Sequence, residues 1–392
     1  MAHLIDPRRV LRQISYDLLE VFLARHDARP ELPCVKPPKP GKKPVCSGWQ
    51  RVPDARRKEA QIALRDVHDL AGGRGLKIFA EEIRRTYPER ADEFIALEGR
   101  LDKAMWAYLH LPAVFEQAAL FARADALANG RYWVKRNSLP RRPVTVDQPM
   151  IDHLQDALHG YYWSAEMRGR HCKVEHYDRQ NGAQYFYAYL DDWPDKQLVF
   201  ADDGEIVPRS ERFAFSNVFV FNPSEGSLEL VAKGGAPVHF PLQRAFCRSV
   251  LGIDVRRADP LRPAYRLDHL LEPGFSFVTD PADRVARVIL RRMQVVPIVA
   301  CPDCEDLKLT FRRGSDPVAV LRNVLLGVHL DLSQVSVQEA SFEVTLLPDL
   351  SGQGKQMTFK VTAPSSCNLK SKPDELREVG ERCLRLWGIT DA

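Results

Sequence analysis

The stretch NGRYWVKRNSLPRRP sets Arg131, Lys135, Arg136, Arg141 and Arg142 around the rings of Tyr132 and Trp133. Cationic side chains engage phosphates and flat aromatic faces stack on bases, so this composition suits contact with a nucleic-acid backbone. More rings follow at Tyr161, Tyr162 and Trp163, then at Tyr185, Tyr187 and Tyr189 on one strand face. The competing reading lays those tyrosines along a core edge with their hydroxyls toward water. A second phosphate contact is expected in SSCNLKSKPDELREVGERC, where Lys370 and Lys372 flank the positive end of a helix. Against it, Asp374 and Glu375 already occupy that first turn. Ser365, Ser366 and Asn368 also have loop backbone groups to satisfy.

Metal and acid–base chemistry have thinner support. Cys301 and Cys304, three positions apart, supply half of a tetrahedral zinc site. No second pair follows, and Cys34 and Cys46 complete the set only if their loop folds across. His176 and Asp178 share a strand face with Cys172 and Val174, an arrangement open to ligation or proton transfer. A metal-dependent nuclease would draw on Asp203, Glu229 and Lys233, but Glu229 and Lys233 stand four apart where two is required. No phosphate loop, dinucleotide fingerprint or nucleophile elbow occurs in a usable setting.

Composition narrows the classes. A chain of 392 residues exceeds one ordinary core, and 45% apolar with 28% charged content is that of a globular protein. Eight scattered cysteines suit reduced thiols. The N-terminus lacks the apolar core of a signal peptide and no apolar run is long enough for a bilayer, so a cytoplasmic protein without a membrane partner is expected. Net charge is only +4, yet residues 1–60 carry 13 Lys/Arg against 7 Asp/Glu, while residues 280–392 carry 15 of each. Any basic surface in the last part must therefore be local.

The elements that must position these groups fall into an α+β pattern. Residues 1–170 read as a mainly helical domain, interrupted at 30–45 by a proline- and lysine-rich loop that no helix interior tolerates. That loop is also a candidate docking segment for a protein partner. Residues 171–255 alternate with period two and read as an antiparallel β-meander with a covering helix. A linker over 256–283 leads to a ββαββα unit over 284–392. The GGRG stretch reads as a helix stop; a helix-turn-helix there would set Glu81 and Glu82 against phosphate.

The sequence thus supports an intracellular macromolecule-binding protein that contacts nucleic-acid backbone or serves a nucleic-acid-handling complex. A protein–protein interaction subunit, using the proline–lysine loop or exposed strand edges, is the alternative. A metal-dependent nuclease or hydrolase is the third reading.

Overall fold

The structure is a computed structural model describing residues 6–28, 34–35, 45–46, 49–127, 133–179, 182–201, 203–257, 263–272, 274–300, 304–348 and 354–390. The chain forms two compact units, residues 1–125 and 126–392. The first is helical: α1 (Pro7–Leu11), α2 (Tyr16–Arg25), α3 (Asp54–Leu70), α4 (Gly73–Thr86), α5 (Ala91–Ala96), α6 (Arg100–His110) and α7 (Pro112–Leu127). Between α2 and α3, strands β1 (Cys34–Val35) and β2 (Val45–Cys46) pair antiparallel. Phe22, Val67, Phe79, Ile83 and Phe121 are fully buried in its core.

α3 stops just before GGRG, as expected, but the next helix restarts within it: its last three residues make the first turn of α4. A Cβ on Gly75 would lie 2.2 Å from the Leu70 carbonyl oxygen. Glycine is what lets α4 start this close to the end of α3.

The second unit holds two antiparallel sheets. The first contains β3 (Trp133–Arg136), β4 (Cys172–Asp178), β5 (Gln184–Phe200), β6 (Ile206–Asn222) and β7 (Ser227–Val231), in the order β3-β7-β6-β5-β4. Helices α8 (Gln148–Glu166) and α9 (Ala236–Ser249) share its core. There Leu154 and Leu158 of α8 and Leu242 and Phe246 of α9 join Phe186, Leu190, Phe219 and Leu230 of the strands. Phe246 meets Phe186 edge-on at 5.0 Å and stacks on Phe219 at 5.2 Å. Helical periodicity alone groups residues 148–166 with the N-terminal helices. In the structure that helix belongs to the sheet, because its apolar stripe is buried in the sheet's core.

The second sheet contains β8 (Val285–Pro297), β9 (Leu307–Thr310), β10 (Val335–Leu346), β11 (Gln356–Thr362) and β12 (Ser366–Cys367), in the order β12-β11-β10-β8-β9. Helix α10 (Pro317–Leu326) sits between β9 and β10 in the chain, and α11 (Asp374–Leu386) closes the unit. The ββαββα order is present, with the two-residue β12 added. Asp316 caps α10 by accepting from the Val318 and Ala319 amides. Trp387, just past α11, packs its ring on Phe342 at 5.1 Å and Phe359 at 6.4 Å. The molecule is α+β, and no helix among the described residues is long and apolar enough to cross a membrane.

Candidate functional site

The basic–aromatic cluster is built on β3, the edge strand beside β7, and on the loop after it. Arg131 and Tyr132 lie outside the described residues. Trp133 is only 3% exposed, and its indole nitrogen donates to Glu229 at 3.2 Å. Lys135 pairs with Glu225 at 2.8 Å. Arg136 donates to Gln243 at 3.0 Å and to the Arg256 carbonyl at 3.3 Å. Arg141 donates to the Glu225 carbonyl and Arg142 to that of Leu251. Trp133 thus packs inside and Lys135 and Arg136 are half-buried, whereas Arg141 and Arg142 stay exposed, so the described cluster does not face outward as one surface. β3 needs a covered face to hold its place in the sheet, and Glu225, Gln243 and the Arg256 carbonyl engage Lys135 and Arg136.

Of the further rings, Trp163 is exposed and Tyr161 and Tyr189 are half-buried, and the other three lie inside. Tyr162 is buried and hydrogen-bonded to Asn217, while Tyr185 and Tyr187 are buried and stacked with ring centres 6.2 Å apart. None of these three rings lies open for a base.

Beside β3, Trp133, Lys135, Arg141, Glu229, Tyr265 and Arg385 help to line a cleft of about 660 Å³. This is the size of a small-ligand pocket, but much of its polar lining is occupied by the pairings just described. Burial pushes the Tyr265 hydroxyl well above its usual pKa, with Cys367 and the carboxylates of Glu229, Glu381 and Glu225 adding to the shift. The phenol stays protonated. Across the cleft wall Lys135 N–H of β3 donates to the Ser365 carbonyl just before β12 (2.8 Å), and Tyr265 N–H, in the segment between the sheets, donates to that of Pro364 (3.0 Å). The arrangement joins the two sheets.

The C-terminal serine–lysine stretch forms the other side of that joint. Asn368 accepts from the Lys360 amide at 2.7 Å, and the Ser371 hydroxyl donates to the Asn368 carbonyl at 2.7 Å. Lys372 is half-buried, and the Lys370 side chain lies outside the described residues. Leu369 occupies the space a Cβ on Gly380 would need, so loop and helix are in close contact.

The catalytic and metal candidates are not assembled. Glu229 is engaged by Trp133, whereas Asp203 sits at the far turn of the β5–β6 hairpin. Val220 opposes Glu229, and the fourteen residues back to Ile206 span about 45 Å of strand. The nuclease grouping therefore fails on distance. His176 packs on Phe186 at 4.7 Å and lies 3.3 Å from Asp178; burial lowers its pKa, and Asp178 only partly opposes that. Cys301 lies outside the described residues and Cys304 is buried. Among the described residues, no three His, Cys, Asp or Glu side chains are grouped to hold a metal. Burial pushes the Cys172 and Cys247 thiols up to about 12 and that of Cys383 up to about 11, the reverse of an activated nucleophile.

One feature escaped sequence reasoning. β5 and β6 are each 17 residues long, but β4 pairs with β5 only as far as Leu190 and β7 with β6 only from Val218. Beyond those points a two-stranded arm projects for about 30 Å, at 3.3 Å per residue. A register shift between Asp191 and Pro194 carries the strand through DDWPD, which reads as a break. Near the tip, Leu198 opposes Pro208 and Phe200 opposes Ile206, so all four lie on one face. Leu198, Phe200 and Ile206 are 75%, 76% and 57% exposed. The available signal was the apolar run QLVF beside six acids and three bases in residues 192–212.

The root of the arm is held firmly. Arg168 pairs with Glu166 and Asp192, and its guanidinium lies over the rings of Phe215, Trp193 and Tyr162. Asp191 accepts from the His171 amide and pairs with Arg212.

No protein-family model matches the chain, and no curated protein matches it.

Proposed function

We propose that this chain works by holding a protein partner, with the β5–β6 arm as the docking element. The observation that carries this reading is the bare apolar face of Leu198, Phe200 and Ile206 at the end of an anchored ribbon. Large apolar side chains clustered in water mark interaction surfaces. Burying three of them offers about 5–9 kcal/mol gross, which the cost of association largely consumes. The partner must therefore also engage the charged flanks. With six acids and three bases over residues 192–212, the arm carries a net charge of −3. That repels phosphate and favours an apolar protein groove rimmed by basic side chains. Pro194 and Pro208 lie on the open strands and remove amide donors, which disfavours edge-to-edge pairing of two arms.

A photo-crosslinking residue placed at Phe200, and separately at Gln197 on the opposite face, tests this reading in the native cell. A discrete protein adduct from position 200 and none from 197 is expected. Equal adducts from both faces, or an adduct only with a second copy of the chain, would overturn it.

A further inference from the structure

The C-terminal sheet has one apolar, covered face and one polar face, mostly exposed, on which Arg291 and Arg313 pair with the buried Glu343. Leu290, Met293, Ala340, Phe342, Val344, Phe359 and Val361 are buried on its inner side. The register puts Thr310, Arg292, Ser341 and Lys360 in one row across four strands of the outer side. A neighbouring row contains Lys308 opposite Gln294, and Arg287 stands further along β8 opposite Thr345. Arg287, Arg292, Lys308, Thr310 and Lys360 are exposed.

We infer that this outer face binds the phosphate backbone of a nucleic-acid duplex. Three features carry the inference. Its charge is locally positive: Lys360 is matched by Glu339 at 2.9 Å and Lys308 by Asp306 at 3.2 Å, while Glu343 sits between Arg291 and Arg313. Those pairings leave Arg287 and Arg292, which make no side-chain bond to any described residue, and the two arginines on Glu343 exceed its single charge. Six cations against three carboxylates give the face a surplus of three, in a segment whose 15 bases and 15 acids cancel as a whole, so the charge is segregated onto this face.

The chemistry of the face also selects the ligand. Its rows offer guanidinium, ammonium, hydroxyl and carboxamide groups, with the ion-paired carboxylates of Glu339 and Glu343, and no aromatic ring. Single-strand binders rely on rings for base stacking, so their absence points to a duplex. The dimensions fit. Arg287 and Arg292 are five residues apart, about 15 Å of strand, or roughly four base steps at 3.4 Å each. Four strands span about 14 Å across, comparable to a major groove about 12 Å wide. The inference is separate from the arm, whose net negative charge repels the same ligand.

The test uses the full chain with random-sequence duplex DNA and duplex RNA, each labelled, titrated by fluorescence anisotropy from 50 to 200 mM salt as a working range of order tenfold or more in affinity. Binding that weakens steeply with salt is expected. Arg287→Ala/Arg292→Ala should lower affinity about tenfold and flatten the log–log salt slope by about 2, one contact per arginine. The charge-matched control Arg12→Ala/Arg51→Ala, on the first unit, should change neither. Circular dichroism would establish that both variants fold. No salt-sensitive binding, an equal effect of the control, or equal affinity for single strands would overturn the inference. So would preferential capture of polyglutamate, which would reassign the face to an acidic protein.

Discussion

The Arg168 guanidinium meets the Asp192 carboxylate at 2.9 Å and fastens the root of the β5–β6 arm to the segment just past α8. Glu166 holds the same guanidinium from the other side at 2.6 Å. Burial alone would lower the arginine's pKa, but its bonds to Asp192 and Glu166 outweigh that and raise it. An isolated two-stranded ribbon is marginal in water, so this root has to supply the arm's rigidity. Arg168→Ala removes the ion pairs and the cover over Phe215. It should cost about 2 kcal/mol, below the range for a fully buried pair because Asp192 is partly exposed. Amide exchange should quicken across residues 191–213 and stay unchanged in the C-terminal sheet.

The arm's tip should behave in the opposite way. Leu198→Ser, Phe200→Ser and Ile206→Ser alter side chains that face water, so each should shift stability by no more than about 0.5 kcal/mol in urea titrations. Phe186→Ala, in the fully buried core of the same sheet, should cost about 3–5 kcal/mol. A loss of 2 kcal/mol or more at the tip, on the order of a core residue, would mean that the patch is packed and unavailable to a partner.

Trp133 is the residue whose meaning changes most between sequence and structure. Its indole donates to Glu229 across the β3–β7 pair, so Trp133→Phe should cost about 1 kcal/mol through the lost hydrogen bond. Duplex affinity should be unaffected. A variant that kept its stability but lost nucleic-acid binding would restore the cluster's original reading.

Much of the architecture was legible because it follows from period and punctuation. Alternation marked β8, β10 and β11, and Asp316-Pro317 marked the start of α10. Residues 148–166 show what periodicity omits: it reports that a helix has an apolar stripe, not which surface takes it. Trp133 and Arg136 show the same limit for sites. A run of cations and rings looks alike in one dimension whether it faces water or is tied to Glu229 and Gln243 from 96 and 107 residues away. The arm was hidden for a related reason. Leu198 and Phe200 have the spacing of a buried strand face, and only the points at which β4 and β7 stop pairing leave them bare. The row through Arg292 and Lys360 depends on register across several strands, which no local pattern encodes.

Three histidines set the response to mild acid. Burial lowers the pKa of His26, His176 and His239. Arg25 adds to the effect at His26, while Asp178 and the Ala232 carbonyl partly oppose it at His176 and His239. A lowered folded pKa means that the folded chain binds fewer protons than the unfolded one below about pH 6.5, the ordinary histidine value. The stability these groups contribute is therefore complete above that pH and is lost as pH falls through it. Carboxylates such as Asp191, also lowered in the fold, lose theirs only at more acidic pH. Urea midpoints should fall between about pH 7 and pH 5 in a step separate from carboxylate titration. His239 Nε2 donates to the Ala232 carbonyl at 2.9 Å, and a glutamine amide can replace that donor without taking up a proton. His239→Gln should shrink the step; an unchanged step would assign the acid sensitivity to other groups.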